Sequence, residues 1–237
     1  MVDSVKSQPR FDNNLLTTLP LADYQRLLPF LEPVDLPLGK AIYEAAQQIE
    51  YLYFPTTSMI SLLSTIEDGI TAEVGLTGND GVVGIALFLG GETTPNRAVV
   101  QIAGKAVRLK ALVVKEEFKR GEVFQYLLLR YTQALITQIS QTAICNRLHP
   151  VEQRFCRWLL LSHDRIKSNE LVMTQELIAS MLGGRRESVT VAAGRLQEQG
   201  LIQYVRGRIT ILDRVGLEAS ACECYEVVRS EYARLLG

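Results

Sequence analysis

Histidine is scarce in this sequence, and its scarcity limits the enzyme chemistry that the chain can support. The 237 residues include 2 histidines, although histidine is the side chain that most often acts as a general acid or base. We recognise no paired carboxylate site, no nucleophile beside a base and no phosphate-binding P-loop. The sequence therefore predicts a protein that is not an enzyme and that needs no cofactor.

Long apolar runs are also missing. A membrane-spanning helix needs about 18–20 consecutive apolar residues, and no run in this chain approaches that length. The opening residues, MVDSVKSQPRFDNN, are polar and contain no apolar segment of the kind that a secretory signal needs. We interpret them as a flexible arm and expect a cytoplasmic protein without membrane partners.

The cysteines do not follow a metal-binding pattern. Two close pairs at zinc-ligand spacing are absent, and the chain has four isolated or singly paired thiols: Cys145, Cys156, Cys222 and Cys224. We interpret them as buried or incidental thiols. His149 and His163 flank one predicted helix, where a histidine is typically capping or solvent-facing. The sequence thus predicts no metal site.

Charge of one sign is not in excess, because the formal net charge is −1. This balance argues against a non-specific coat for nucleic acid, but it is compatible with a local basic surface. With 47% hydrophobic and 22% charged residues, the composition is that of a globular protein. A chain of this length can form one large domain or two small ones.

The segment from Thr174 to Leu212 has the pattern of a winged helix-turn-helix. Apolar residues at helical spacing form one face of a first helix: Leu177, Ile178, Met181 and Leu182. Gly183-Gly184 ends this helix, and a second helix begins near Arg185. Two short β-type runs then flank Arg206-Gly207-Arg208. Such a hairpin after two helices is typical of a wing.

The part of the chain from Val34 to Ala111 has a different pattern. Short β-type runs alternate there with turn signals such as Glu67-Asp68-Gly69. The predicted strands are Ala41 to Tyr43, Tyr51 to Phe54, Met59 to Thr65, Thr71 to Leu76, Ala98 to Ile102 and Ala106 to Leu109. Many short strands at regular spacing favour a barrel or a jelly roll.

A long helix is predicted from Val123 to Asn146. An apolar stripe at alternating steps of four and three residues follows it, as in a coiled-coil seam, and its central members are Leu128, Tyr131, Leu135, Gln138 and Thr142. We interpret the stripe as a dimer interface. The alternative is a helix that packs on its own domain. His149-Pro150 ends the helix.

Together these segments resemble the Crp/Fnr superfamily of bacterial transcription regulators, most specifically in the run L-G-G-R-R-E-S-V followed by L-x-E-x-G-L-I. The resemblance implies an α+β fold. Its parts would be an arm and helix (1–26), a jelly-roll-like β-roll (27–112), a long dimerisation helix (113–148), a winged helix-turn-helix (149–213) and a helical tail (214–237). It further implies a homodimer that binds near-palindromic double-stranded DNA, and it leaves RNA polymerase open as a further partner.

By the same resemblance, Arg186 and Glu187 occupy the base-reading positions. Arg pairs with guanine O6 and N7, and Glu accepts from cytosine N4. The chain departs from the family at Arg185, where a small polar cap is common, and at Val191, where another Arg is common. Val191 can contact a thymine methyl group but cannot pair with guanine. The target site is therefore expected to differ at that step.

Phosphate contacts are expected from the residues around the reading helix and on the wing. These are Thr174, Gln175, Ser188, Thr190, Arg206 and Arg208. Thr174 is also a candidate N-cap of the first helix. Arg195 is either a further DNA contact or a partner of Glu198 on its own helix.

The β-roll resembles cyclic-nucleotide-binding members only in part. In those members a Gly-Glu pair holds the ribose, and an Arg followed by a small hydroxyl residue holds the phosphate. Gly84 fits the glycine position, but Ile85 replaces the glutamate, and Ala98 after Arg97 lacks the hydroxyl. Without these groups the sugar hydroxyls would lose hydrogen bonds. We predict that cyclic AMP does not bind, that Arg97 is a surface or structural residue, and that the effector, if one binds, is another molecule.

One alternative belongs to another functional class. The β-roll could serve as a small-molecule sensor that acts through a protein partner, with vestigial DNA binding. The salt dependence of DNA affinity distinguishes the two, because phosphate contacts make true DNA binding fall steeply with salt.

Overall fold

A computed structural model describes residues 10–166 and 168–237. The predicted flexible arm lies outside the described residues up to residue 9. The helices are α1 Asn14–Thr18, α2 Leu21–Leu27, α3 Ala86–Leu89, α4 Ala111–Lys119, α5 Val123–Leu148, α6 Val151–Arg165, α7 Gln175–Met181, α8 Arg186–Glu198, α9 Arg214–Ser220 and α10 Cys224–Leu236. The strands are β1 Glu32–Leu36, β2 Ala41–Tyr43, β3 Tyr51–Pro55, β4 Met59–Thr65, β5 Thr71–Thr77, β6 Arg97–Ile102, β7 Gly104–Lys110, β8 Glu170–Val172, β9 Ile202–Val205 and β10 Arg208–Ile211.

The first seven strands form the predicted β-roll from two antiparallel sheets. One sheet has the order β1-β7-β3 and the other β2-β6-β4-β5. Their inner faces enclose an apolar core that includes Leu52, Phe54 and Leu109. Strand β1 is not among the predicted strands, because Pro33 and Asp35 interrupt its apolar pattern; both point outward, and Leu36 is buried.

Helix α5 confirms the predicted long helix but corrects the face assigned to the dimer. All five stripe residues named above are buried within the same chain. The Tyr131 hydroxyl hydrogen-bonds Thr77 Oγ1 at 2.9 Å, and Gln138 Nε2 donates to the Leu76 carbonyl at 3.0 Å. The stripe therefore packs on its own domain, as the alternative expectation had it, because Tyr131 and Gln138 hydrogen-bond strand β5. The preceding α4 is a separate helix, which the left-handed Gly121 (φ 74°) divides from α5.

The second half of the chain forms a three-stranded sheet, in the order β8-β10-β9, beside α6, α7 and α8. Its core contains Phe155, Trp158, Leu159 and Leu196. The core extends to Met59 and Leu76 of the β-roll, so the two halves of the chain share buried apolar surface.

The predicted tail packs against the rest of the molecule as α9 and α10. Arg214 at the start of α9 hydrogen-bonds Asp164 at 2.6 Å and His163 Nδ1 at 2.7 Å. Helix α10 lies along α5, where the rings of Tyr131 and Tyr232 meet edge to face at 6.4 Å. The hydrogen bond with Arg214 gives His163 a structural role in holding α9. No helix among residues 10–166 and 168–237 is long and apolar enough to cross a membrane.

Candidate nucleic-acid interface

The helix-turn-helix is built by α7, a glycine turn and α8. Thr174 begins α7 as predicted, since its Oγ1 accepts from the Leu177 amide at 3.3 Å. The turn needs a glycine at Gly183, whose φ is +59°. The Gly184 amide donates to the Ala179 carbonyl at 2.9 Å, which closes the end of α7. These bonds fix the direction in which α8 starts.

Helix α8 separates its residues into a buried and an exposed face. The buried face packs on α6 and α7 and consists of Val189, Ala192, Ala193 and Leu196. The exposed face carries Arg186, Glu187, Thr190 and Val191, the last with 56% of its surface exposed. The spacing i, i+1, i+4 and i+5 places these four side chains on one stripe that begins at the helix N-terminus.

The N-terminus of α8 has an unusual cap. Arg185 is the N-cap residue and lies exposed in an extended conformation, and among the described residues no side chain caps this helix. The Ser188 amide donates to the Arg185 carbonyl at 3.1 Å. The other amides of the first turn are therefore donors for an anion, with the helix dipole favouring negative charge there.

A groove of about 320 Å³ connects the start of α7, the start of α8 and the wing. It is lined by Thr174, Gln175, Arg186, Tyr204, Arg206 and Gly207. Thr190 Oγ1 lies 2.8 Å from Gln175 Oε1 and 3.0 Å from the Arg186 carbonyl. The Thr190 hydroxyl has one proton, which these two acceptors share. Gln175 is therefore positioned by α8 as well as by solvent.

The wing is a hairpin with a two-residue turn at Arg206-Gly207. Both residues have positive φ, 49° and 77°, as in the primed turns that suit the twist of a hairpin. Arg206 is exposed at the tip. Arg208 on β10 forms an ion pair with Glu170 of β8, so its guanidinium must leave or share this partner to reach a phosphate.

Arg195 does not pair with Glu198, which was one of the two expectations for it. Its guanidinium lies 3.2 Å from Glu152 of α6 and not beside Glu198. Tyr204 is a groove residue that the sequence did not single out, and its hydroxyl donates to the Met173 carbonyl at 2.8 Å. Tyr204 was missed because it lies on the same face of β9 as Ile202, and a tyrosine at such a position is readily interpreted as a core residue.

The expected effector residues make contacts within the β-roll. Gly84 has φ +112°, and a Cβ there would lie 2.9 Å from the Tyr51 carbonyl oxygen, so this glycine is needed for close backbone packing. Arg97 pairs with Glu44 at 3.1 Å on the surface of the β-roll. Ala98 is fully buried between neighbouring strands. Arg97 is thus half-buried, with one ion-pair partner and an Nε that is buried without a hydrogen-bond partner among the described residues.

The arrangement matches known proteins in both sequence and structure. Residues 153–220 match the family model described as the Crp-like helix-turn-helix domain. FixK2 from Bradyrhizobium japonicum is 18% identical over 81% of this chain and 98% of its own, with a TM-score of 0.69. TTHB099, a CRP-family transcriptional regulator from Thermus thermophilus, is 19% identical over 79% and 96%, with a TM-score of 0.64.

A third similar structure is CLP from Xanthomonas campestris, described as a global regulator responsive to c-di-GMP. It is 15% identical over 82% of this chain and 100% of its own, with a TM-score of 0.64. A search of the curated proteins gives no match. The chain thus has the fold of the Crp/Fnr transcription regulators, and its residues 153–220 are similar to the Crp-like helix-turn-helix domain.

Proposed function

We propose that this protein is a sequence-specific, homodimeric transcription regulator that reads a near-palindromic operator with α8. The exposed stripe of α8 is the observation that supports the proposal. Arg186 and Glu187 lie side by side in solvent at the N-terminus of α8, with a groove and a basic wing beside them. That composition is suited to base edges and phosphates.

The groups of the candidate interface have distinct tasks in this proposal. Arg186 pairs with guanine, and Glu187 accepts from the amino group of cytosine. Val191 contacts a thymine methyl group. Thr174, Ser188 and the uncapped amides of α8 hold phosphates, which positions the helix. Arg206 and Arg208 follow the backbone and provide affinity without sequence information.

A second stripe, on the solvent side of α5, supports the homodimer. Its members are exposed and recur at alternating steps of three and four residues: Tyr126, Leu129, Gln133, Ile136, Ser140 and Ala143. Ile136 and Leu129 expose 52% and 45% of their surface. This is the seam pattern of a two-helix coiled coil. Pairing of two α5 helices along it would place two copies of α8 for successive major grooves.

The proposal is tested by comparing Arg186→Ala with Arg208→Ala. We expect Arg186→Ala to weaken binding to the preferred site by about 1–3 kcal/mol per half-site, with little change on unrelated DNA. Arg208→Ala should weaken both kinds of DNA to a similar extent. The site is first selected from random duplexes with the wild-type protein, and gel-shift titrations then follow. Unchanged affinity of Arg186→Ala for that site would contradict base reading.

We further propose that the β-roll does not take cyclic AMP. Arg97 is engaged by Glu44, and Ile85 offers no acceptor for ribose hydroxyls. We expect isothermal calorimetry with cyclic AMP to give no binding at micromolar concentration. Micromolar affinity would show that Arg97 leaves Glu44 and that another acceptor replaces the missing carboxylate.

A further inference from the structure

Three of the four cysteines meet in one buried cluster with a histidine. Cys145, Cys222 and Cys224 expose between 0% and 4% of their surface, and His149 is mostly buried. Cys145 Sγ lies 3.5 Å from Cys222 Sγ, and Cys224 Sγ lies 3.6 Å from His149 Nδ1. The four donor atoms all lie within 4.8 Å of one another. The thiols are buried, as predicted, but they are not unrelated to one another.

Two local motifs supply the four donors. Cys145 lies in the last turn of α5, and His149 is the C-cap residue of this helix, whose amide donates to the Cys145 carbonyl at 3.1 Å. Cys222 and Cys224 flank Glu223 where the chain passes from α9 to α10. The sequence separates the motifs widely, and neither alone has zinc spacing. Only the folding of the tail back onto α5 brings them together.

The distances agree with a tetrahedral zinc site. Zinc binds thiolates at about 2.3 Å and imidazole nitrogen at about 2.0–2.1 Å. A tetrahedron with these bond lengths has donor–donor edges of roughly 3.6–3.8 Å. The two measured contacts are close to these edges. An ion could therefore be accommodated by small movements of the side chains, without a change in the backbone.

The surroundings of the histidine give an independent reason to expect a metal. His149 Nε2 lies 3.3 Å from Glu223 Oε1, while Nδ1 faces the thiols. Metal-bound histidines usually donate their second N–H to a carboxylate, which fixes the tautomer and the ring orientation. Arg157 is buried in the same region and donates to Thr142 Oγ1 at 3.3 Å. Its charge would partly balance that of three thiolates.

We propose that Cys145, His149, Cys222 and Cys224 bind one zinc ion. Three sulfur donors and one imidazole select a soft to borderline ion, and the closed, four-ligand arrangement is that of a structural zinc site. The ion would join the tail to the junction of α5 and α6 at His149-Pro150. It would thereby fix the angle at which the helix-turn-helix leaves the long helix. This inference does not depend on DNA binding.

The first test measures metal in the full-length chain. Protein purified in reducing buffer, saturated with zinc and freed of excess ion should hold about one equivalent of zinc per chain by atomic absorption. Cobalt in place of zinc should give the intense visible bands of a tetrahedral ion and the near-ultraviolet bands of cobalt–thiolate bonds. Neither metal should be retained by a chain whose thiols are oxidised.

Matched variants assign the ion to this cluster. Cys222→Ser should lose at least tenfold in zinc affinity, whereas Cys156→Ser, at a buried cysteine outside the cluster, should retain the full equivalent. Glu223→Gln should keep the stoichiometry but bind about 10–100-fold more weakly. Because a substitution at a buried cysteine can also weaken folding, the cobalt spectrum of the wild-type chain is the independent criterion. Reduced wild-type protein that binds neither metal overturns the proposal, as does equal loss in Cys156→Ser.

Discussion

Glu73 is a buried carboxylate outside the candidate nucleic-acid interface. It lies on β5, is 6% exposed and accepts a hydrogen bond from Ser61 at 2.6 Å. Burial raises the pKa of its carboxyl group to about 7, although Ser61 and Arg157 act in the opposite direction. The protonated form is therefore stabilised at the contact between the β-roll and α6.

We predict that Glu73 makes the protein less stable as the pH rises. The folded-state pKa exceeds the unfolded value of about 4.3. The stabilising contribution is thus complete below the unfolded pKa and is lost as the pH rises through about 7. In the wild-type protein, the free energy of unfolding should fall by on the order of 2–3 kcal/mol between pH 4.5 and pH 8 because of Glu73. Glu73→Gln should abolish this fall, as measured by urea unfolding.

Glu67→Gln is the control for this measurement, because Glu67 is exposed in the turn between β4 and β5. It should leave the pH dependence of the wild-type protein intact. If the Glu73→Gln variant shows the same fall in unfolding free energy as the wild type, another group is responsible.

For single residues, the sequence predicted the exposed charged side chains better than the buried ones. The run around Arg186 and Glu187 is contiguous, so local spacing indicated where both side chains would lie, and the structure exposes them. Glu73 sits in an alternating strand, where a carboxylate is expected to face solvent. Its burial depends on α6 covering that face, and contacts between distant segments leave no local signal.

Helix α5 shows what an apolar pattern along one helix can predict. The sequence predicted its extent to within a few residues, but both of its faces carry a stripe at steps of three and four. The inward stripe is richer in large apolar residues and was taken as the seam. Gln138 and Thr142 interrupt it because they bind the Leu76 carbonyl and Arg157. A pattern on one helix cannot distinguish a partner chain from its own domain.

We predict that Ile136→Glu converts the proposed dimer into a monomer. A charge at the centre of the exposed stripe would face the same charge of the second chain across a two-fold axis. Light scattering after gel filtration should give half the wild-type mass, at unchanged helix content by circular dichroism. Val227→Glu, on the exposed side of α10 and 40% exposed at the wild-type residue, should leave the mass unchanged. A dimeric Ile136→Glu variant would place the interface elsewhere.

The charge distribution of the whole molecule bears on the proposed interaction with DNA. With a net charge of −1, general attraction to a polyanion is weak, so affinity must come from the local basic surface of the helix-turn-helix and wing. We predict that Arg206→Gly lowers the slope of log affinity against log salt by about 1 for each phosphate that the arginine neutralises. The left-handed turn at this position tolerates glycine, so the fold should be retained.

Arg97→Ala is the charge-matched control, because it also removes one arginine side chain but lies on the β-roll, half-buried beside Glu44. It should leave the slope unchanged in fluorescence anisotropy titrations at several salt concentrations. Equal slopes for Arg206→Gly and the wild-type protein would exclude the wing tip from phosphate contact. A binding reaction without salt dependence would favour a sensor that acts through a protein partner.

Three glycines at regular intervals determine how the β-roll meets the helices. Gly75 lies against Leu135 and Gln138, a Cβ on Gly78 would lie 2.6 Å from Arg165 Cβ, and a Cβ on Gly81 would lie 2.1 Å from the Tyr131 ring. Here the backbone itself touches α5 and α6. Side chains can absorb a shift by changing rotamer, but a bare backbone cannot. The β-roll and the long helix therefore move together, so a displacement of either one must displace the other.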